Sequence, residues 1–154
     1  MCIRDRYGHL PMGDPAVRCA CGAHGCWGTA VDGGALARLL GEPAPADPVA
    51  YARQVIARDD AAAKAAVGTA AAALGRGIAG LVNALDPEVV TLGDVAADLL
   101  AAAPDEVAAA CRAALMSSRR ATPPPVLAAR LGADGPITGA AERVWDRWWE
   151  LLRR

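Results

Sequence analysis

The chain has 154 residues, 54% hydrophobic but only 4% aromatic, with no Phe, a formal net charge of −1 and a pI near 6.1. This length suits one domain, or one lobe of a larger protein, with a core of its own. The near-neutral charge excludes a basic field for a phosphate backbone, so these residues are not expected to bind DNA unaided.

Met1 to Arg6 reads MCIRDR, does not belong to the pattern that follows, and resembles the translation of a sequencing adapter. It is set aside as a non-native leader, and Cys2 with it. From His9 the chain reads HLPMGDPAVRCACGAHGC, placing an imidazole and the thiols of Cys19, Cys21 and Cys26 within eighteen positions. Four N and S donors are what a closed tetrahedral zinc site takes. Gly22 and Gly25 permit the tight turns that would aim the thiolates inward, and His24 is a rival nitrogen donor. A disulfide or redox pair and inert buried thiols are the alternatives. No signal peptide or membrane-spanning run is evident, which argues for a cytoplasmic chain with reduced thiols.

Trp27 to Leu40 reads as a turn and a short helix, with Leu36, Leu39 and Leu40 spaced for one buried face. GEPAPADP, Gly41 to Pro48, cannot continue a helix and predicts a surface loop. Asp47 or Pro48 starts the next helix, to about Arg58, with Tyr51, Val55 and Ile56 inward. Asp59 to Leu85 is the longest helical candidate. Its Gly68, Gly75, Gly77 and Gly80 each cost about 1 kcal/mol relative to alanine, which favours close packing over a phosphate-binding role. Asn83 to Pro87 ends this helix, and Glu88 to Leu92 is β-branched enough for a buried strand.

Gly93, Asp94 and Val95 then read as a strand-to-helix turn, with Asp94 near the helix N-terminus. A helix from Pro104 to Met116 aligns Val107, Cys111 and Leu115, with Cys111 a small core residue. Ser117 to Pro125 reads as a loop and Pro125 to Ala129 as a strand. The last helix, Gly135 to Leu152, puts Val144, Trp148 and Leu151 on one face beside Trp145 and Trp149. These tryptophans are expected to cap the core, with a subunit contact as the alternative. Helices alternating with strands predict an α/β layer architecture.

Three stretches carry a family resemblance. His9 followed by C-x-C-G-x-x-G-C, GRGIAGLVNALDPEVVTLG from Gly75 to Gly93, and LGADGPITGAAE from Leu131 to Glu142 together resemble the ROK family of sugar-responsive repressors and sugar kinases. The resemblance implies that residues 7–154 are the C-terminal lobe of a two-lobed, actin-like (ribonuclease H-like) fold. The other lobe, with a phosphate loop and catalytic Asp, would lie upstream, preceded in repressors by a helix-turn-helix. It also implies that the zinc ligand His9 contacts a sugar hydroxyl. Of two family glutamates that clamp sugar, one falls at Arg6, inside the leader, and the other at Gly28. Family kinases carry a glycine run at the nucleotide site where this chain has Gly93 and Asp94, so ATP binding is doubtful here.

The expected function is therefore the effector-sensing lobe of a ROK-type transcriptional regulator. It would have a structural zinc, a sugar or sugar phosphate as ligand, a homodimeric state, and DNA contact only through a separate N-terminal domain. The alternatives are a lobe of an ATP-dependent, glucokinase-like sugar kinase and a zinc-stabilised interaction module. No nucleophilic triad stands apart from the cysteine cluster, so catalysis by these residues alone is not expected.

Overall fold

A computed structural model of the chain describes residues 7–153. The expected leader, with Cys2 and Arg6, lies outside the described residues. The order is α1 (Gly33–Leu40), α2 (Pro48–Ile56), α3 (Ala61–Leu85), β1 (Val90–Leu92), α4 (Asp94–Ala102), α5 (Pro104–Ala114), α6 (Ser117–Ala121), β2 (Val126–Ala128) and α7 (Gly135–Leu152). Short 3-10 turns cover Tyr7–His9, Trp27–Ala30 and Gly132–Asp134.

Three aspartates start the first three helices. Asp32 accepts from the Ala35 amide at 2.7 Å, Asp47 from Val49 and Ala50, each at 3.0 Å, and Asp60 from Ala63 at 2.9 Å. Each satisfies amides that the first helical turn leaves without partners. Gly41 closes α1 in the left-handed region, at φ 69°.

The core is built around α3, whose Leu74, Ile78 and Val82 pack with Leu36, Val55, Leu99, Val107 and Leu115. By length and hydropathy α3 would pass for a membrane-spanning helix, contrary to the expectation that no such run exists. However, 61% of its most apolar window is buried inside the fold, which marks it as the core helix. Its glycines act as close-approach points. A Cβ on Gly75 would lie 2.3 Å from the Val107 carbonyl oxygen of α5, and one on Gly77 would lie 1.9 Å from the Trp27 indole. Gly68 is different, since its Cβ would meet only the Glu106 side chain at 3.8 Å.

β1 and β2 pair in parallel, Val90 with Val126 through Leu92 with Ala128, and the crossover between them carries α4, α5 and α6. Asn83 ties this crossover to α3. Its amide nitrogen donates to the Ala114 carbonyl and its oxygen accepts from the Met116 amide, both at 3.0 Å. The arrangement is a helix-rich α/β fold.

Several expectations are corrected. Ser117–Ala121, expected as loop, is helical, with Arg119 paired to Asp86, whereas Asp94 opens the helix Asp94–Ala102 as expected of a strand-to-helix turn. Leu39 is 48% exposed, because the core-facing side of α1 is the one holding Leu36 and, in part, Leu40. The tryptophans of α7 do not cap the core: Trp145, Trp148 and Trp149 are 56%, 50% and 45% exposed, and Val144 and Leu151 are exposed with them. Spaced at i, i+3 and i+4, the rings instead pack on one another, with centroids 5.6 to 6.0 Å apart.

Candidate metal centre

The segment from Tyr7 to Trp27 folds into a compact loop without long elements. Gly13 donates to the Gly25 carbonyl at 2.9 Å, Gly25 to Val17 at 3.0 Å, Cys19 to Ala23 at 2.8 Å and Trp27 to Leu10 at 2.7 Å. These bonds cross between the two arms and draw the ends together. Gly22 and Gly25 turn the chain at φ 95° and 69°, where a side chain would strain the backbone. Gly13 has a second reason to be glycine, as its Cβ would lie 2.7 Å from the Cys26 carbonyl oxygen.

This folding brings His9, Cys19, Cys21 and Cys26 together, with one ligand atom from each lying within 4.8 Å of the others. His9 Nδ1 is 3.7 Å from Cys19 Sγ, and the Cys21 and Cys26 sulfurs are 3.6 Å apart. Donors at about 2.0 to 2.3 Å from a common tetrahedral centre are separated by roughly 3.4 to 3.8 Å, so the set can close around one metal ion. A disulfide needs sulfurs about 2.05 Å apart, and all three thiols are free. His24 is exposed and does not join the four donors; its backbone bridges to Arg18 instead.

The thiols differ in how readily they lose a proton. Burial, reinforced by the Cys21 and Cys19 thiols, pushes Cys26 up to about 12. Cys21 moves down, chiefly through its hydrogen bond with the Ala23 backbone and then through the Cys19 and Cys26 thiols. Of this pair, Cys21 is the readier to lose its proton.

Trp27, next to Cys26, fastens the loop to the core. It is 8% exposed, and its Nε1 donates to the Ala73 carbonyl of α3 at 3.0 Å. Met12 makes a second seat, since a Cβ on Gly80 would lie 2.7 Å from its sulfur. Neither contact follows from the local pattern, because each partner lies more than forty residues away in sequence.

Gly28, which the resemblance aligns with a sugar-clamping glutamate, lies against the turn that carries His9: its Cβ would be 3.1 Å from the Gly8 carbonyl oxygen. At the β1–α4 turn, Asp94 has φ 50°, a conformation glycine adopts without strain. Its carboxylate accepts from the Arg53 guanidinium at 2.8 Å, and Asp98 takes the same guanidinium at 3.0 Å.

The sequence profile of the ROK family matches residues 3–147. The chain belongs to the ROK family. No curated protein sequence matches it. Among solved structures, the ROK hexokinase from Thermus thermophilus is 31% identical, with a TM-score of 0.63 over 89% of this chain and 46% of its own. The ROK family glucokinase from Streptomyces griseus, solved with glucose and AMPPNP, is 23% identical, with a TM-score of 0.69 over 88% of this chain and 49% of its own. A ROK family transcriptional regulator, a homologue of the E. coli MLC protein, is 20% identical, with a TM-score of 0.61 over 79% of this chain and 33% of its own. This ROK chain thus shares the actin-like fold of both kinases and a regulator, and spans half or less of each neighbour's length.

Proposed function

We propose that the chain is the C-terminal, effector-sensing lobe of a cytoplasmic ROK-family transcriptional regulator, in which a structural zinc held by His9, Cys19, Cys21 and Cys26 presents His9 to a sugar. The donor chemistry supports zinc, since three thiolates and one imidazole match a closed structural site and leave no open position for catalysis. The regulator reading rests on one observation, the Gly93–Asp94 turn. Backbone amides in a glycine run can close on phosphate. Here the carboxylates of Asp94 and Asp98 share the single guanidinium of Arg53, and the negative charge left over disfavours a triphosphate unless a metal intervenes. DNA contact would come from a separate domain, and the active species would be a homodimer.

A second reading, the same lobe of an ATP-dependent sugar kinase, is favoured by the 31% identity to the Thermus hexokinase. In that case the missing phosphate contacts would be supplied by the other lobe.

Two measurements on the purified chain test the proposal. Metal analysis should find one zinc per chain, lost in Cys21→Ala, whose exposed side chain can be truncated without disturbing the core. A folded chain that purifies without zinc would overturn the metal assignment. Titration with magnesium and AMPPNP should show weaker binding to the wild type than to Asp94→Gly. Binding that is as tight in the wild type as in Asp94→Gly would sink the regulator reading and favour the kinase.

A further inference from the structure

A cavity of about 530 Å³ lies between the metal loop, α1 and α3. None of His9, Cys19, Cys21 and Cys26 lines it, so it is separate from the metal centre and from the sugar contact proposed at His9. Its walls bring together Arg38 from α1, Arg76 and Thr69 from α3, Thr29 from the turn after Trp27, and Met12 and Asp14 from the metal loop.

The charges in this cavity are not matched. Among the described residues, Arg53, Arg58 and Arg119 each pair with carboxylates, whereas neither Arg38 nor Arg76 does. Arg38 donates to the Thr29 carbonyl, which uses part of a five-donor guanidinium. Asp14 is the one carboxylate on the wall, and its Oδ1 is held by the Ala16 amide at 2.8 Å. Two guanidiniums and one carboxylate line the cavity, so its wall carries a net positive charge, while the Asp32 carboxylate near Arg38 lies outside the lining and is engaged by the Ala35 amide. The hydroxyls of Thr29 and Thr69 donate to the backbone oxygens of Cys26 and Ala65, so their lone pairs remain free to accept. The cavity therefore has oxyanion donors at two arginines and hydroxyl acceptors at Asp14, Thr29 and Thr69. Its volume falls in the ordinary range for small-molecule sites, roughly 300 to 1,000 Å³.

We infer that this cavity binds the phosphate monoester of a small polyhydroxylated molecule, with the phosphate on Arg38 and Arg76 and hydroxyls on Asp14, Thr29 and Thr69. A guanidinium pair suits phosphate because its planar fork gives two parallel, charge-assisted bonds. Met12 and Asp14 belong to the loop between His9 and Cys19, so an occupant also braces the loop that carries the metal ligands. Binding should therefore slow the loss of metal to a chelator.

The test uses the full, zinc-loaded chain and calorimetric titration with glucose 6-phosphate, glucose and inorganic phosphate. Glucose 6-phosphate should bind more tightly than either of the others, and should slow zinc release to a chelator. Arg76→Gln, an exposed position whose change leaves the fold intact by circular dichroism, should weaken glucose 6-phosphate at least tenfold and leave any glucose binding unchanged. Thr69→Val, which keeps the side-chain shape, should weaken the sugar ester but not inorganic phosphate. The inference is overturned if glucose 6-phosphate fails to bind the zinc-loaded chain, if Arg76→Gln binds it equally well, or if glucose displaces it. Displacement by glucose would assign the ligand to the His9 site. Because zinc content is measured separately, failure here leaves the proposed metal centre standing.

Discussion

Replacing Gly77 with alanine should destabilise the chain, although it improves the intrinsic helix propensity of α3. The new Cβ would lie 1.9 Å from Cε2 of Trp27, 2.2 Å from Nε1 and 2.3 Å from Cζ2. Ordinary carbon contacts are about 3.5 to 4.0 Å, so the overlap exceeds 1 Å against a rigid ring. The indole cannot rotate aside cheaply, because it is buried and its nitrogen is bound to the Ala73 carbonyl. Either α3 shifts, at about 1 to 3 kcal/mol for overpacking, or Trp27 leaves its seat. Losing the seat costs roughly 3 to 5 kcal/mol, as truncating a buried Trp does, plus about 1 kcal/mol for the hydrogen bond. Alanine recovers about 1 kcal/mol of propensity; with an overlap this large the shift lies toward the upper end of its range, so the net loss is about 1 to 2 kcal/mol if α3 shifts and about 3 to 5 kcal/mol if Trp27 leaves its seat. The control is Gly68→Ala, where the Cβ has room and the same gain should raise stability by up to about 1 kcal/mol. Urea unfolding followed by far-ultraviolet circular dichroism measures both. A Gly77→Ala midpoint equal to or above the wild type would refute the close Trp27 contact. The seat's link to Cys26 predicts a second readout: Gly77→Ala should also release zinc to a chelator faster.

The remaining predictions concern single contacts. Asn83→Ala removes two hydrogen bonds to the end of α5 and should cost about 1 to 3 kcal/mol in urea unfolding; no change would mean that the α5 end is held by packing alone. Asp60 is held below the usual carboxylate range, first by Arg58 and then by the Ala63 amide. Its contribution is therefore complete above the unfolded value of about 3.9 and is lost as pH falls through the lower folded value. Asp60→Ala should have a lower urea midpoint at neutral pH, and the gap to wild type should narrow in acid; a gap independent of pH would contradict the assignment. Under the sugar-sensing proposal, Gly28→Glu adds a charge-assisted acceptor but also presses on the Gly8 carbonyl beside His9, so glucose affinity and zinc retention should change together; both unchanged would remove Gly28 from the ligand site.

How much was legible in the sequence depended on the range of the contact. The four donors lie within eighteen residues and are turned by Gly22 and Gly25, so a spacing argument reaches the cluster and only the rivalry of His24 needed geometry. The helix start at Asp47 is equally local; Asp32 and Asp60 cap amides just three residues away, yet the apolar pattern places those two starts only approximately. By contrast, the glycines of α3 signal only that something comes near. Which of them receives Trp27, which α5 and which neither depends on tertiary placement. Periodicity likewise defines an apolar face on α7 without saying what lies against it, and in this chain the three indoles meet one another. The strand-to-helix turn at Gly93 and Asp94 is local and legible, whereas the length of the helix it opens and the left-handed conformation of Asp94 are not.

The same dependence on tertiary placement bears on Gly28, which the family resemblance aligns with a sugar-clamping glutamate. If Gly28 merely lacked an acceptor, the space beside it would remain open. Instead the Tyr7–His9 turn sits against it, with Gly8 backbone close enough that any Cβ at 28 would force a shift of a few tenths of an ångström. The residue that shifts is bonded to His9, the histidine of the metal cluster. A side chain at 28 therefore cannot act on a ligand without also moving the donor set, and that set is held from the far side by Trp27 and Met12 on α3. Residues 73 to 80 span about two helical turns, roughly 10 Å, so the two seats fix the loop against rotation as well as translation. The metal loop and α3 should thus respond to a ligand as one rigid body, and the compliant point is the Gly8–Gly28 contact, where glycine on both sides leaves no side chain to resist.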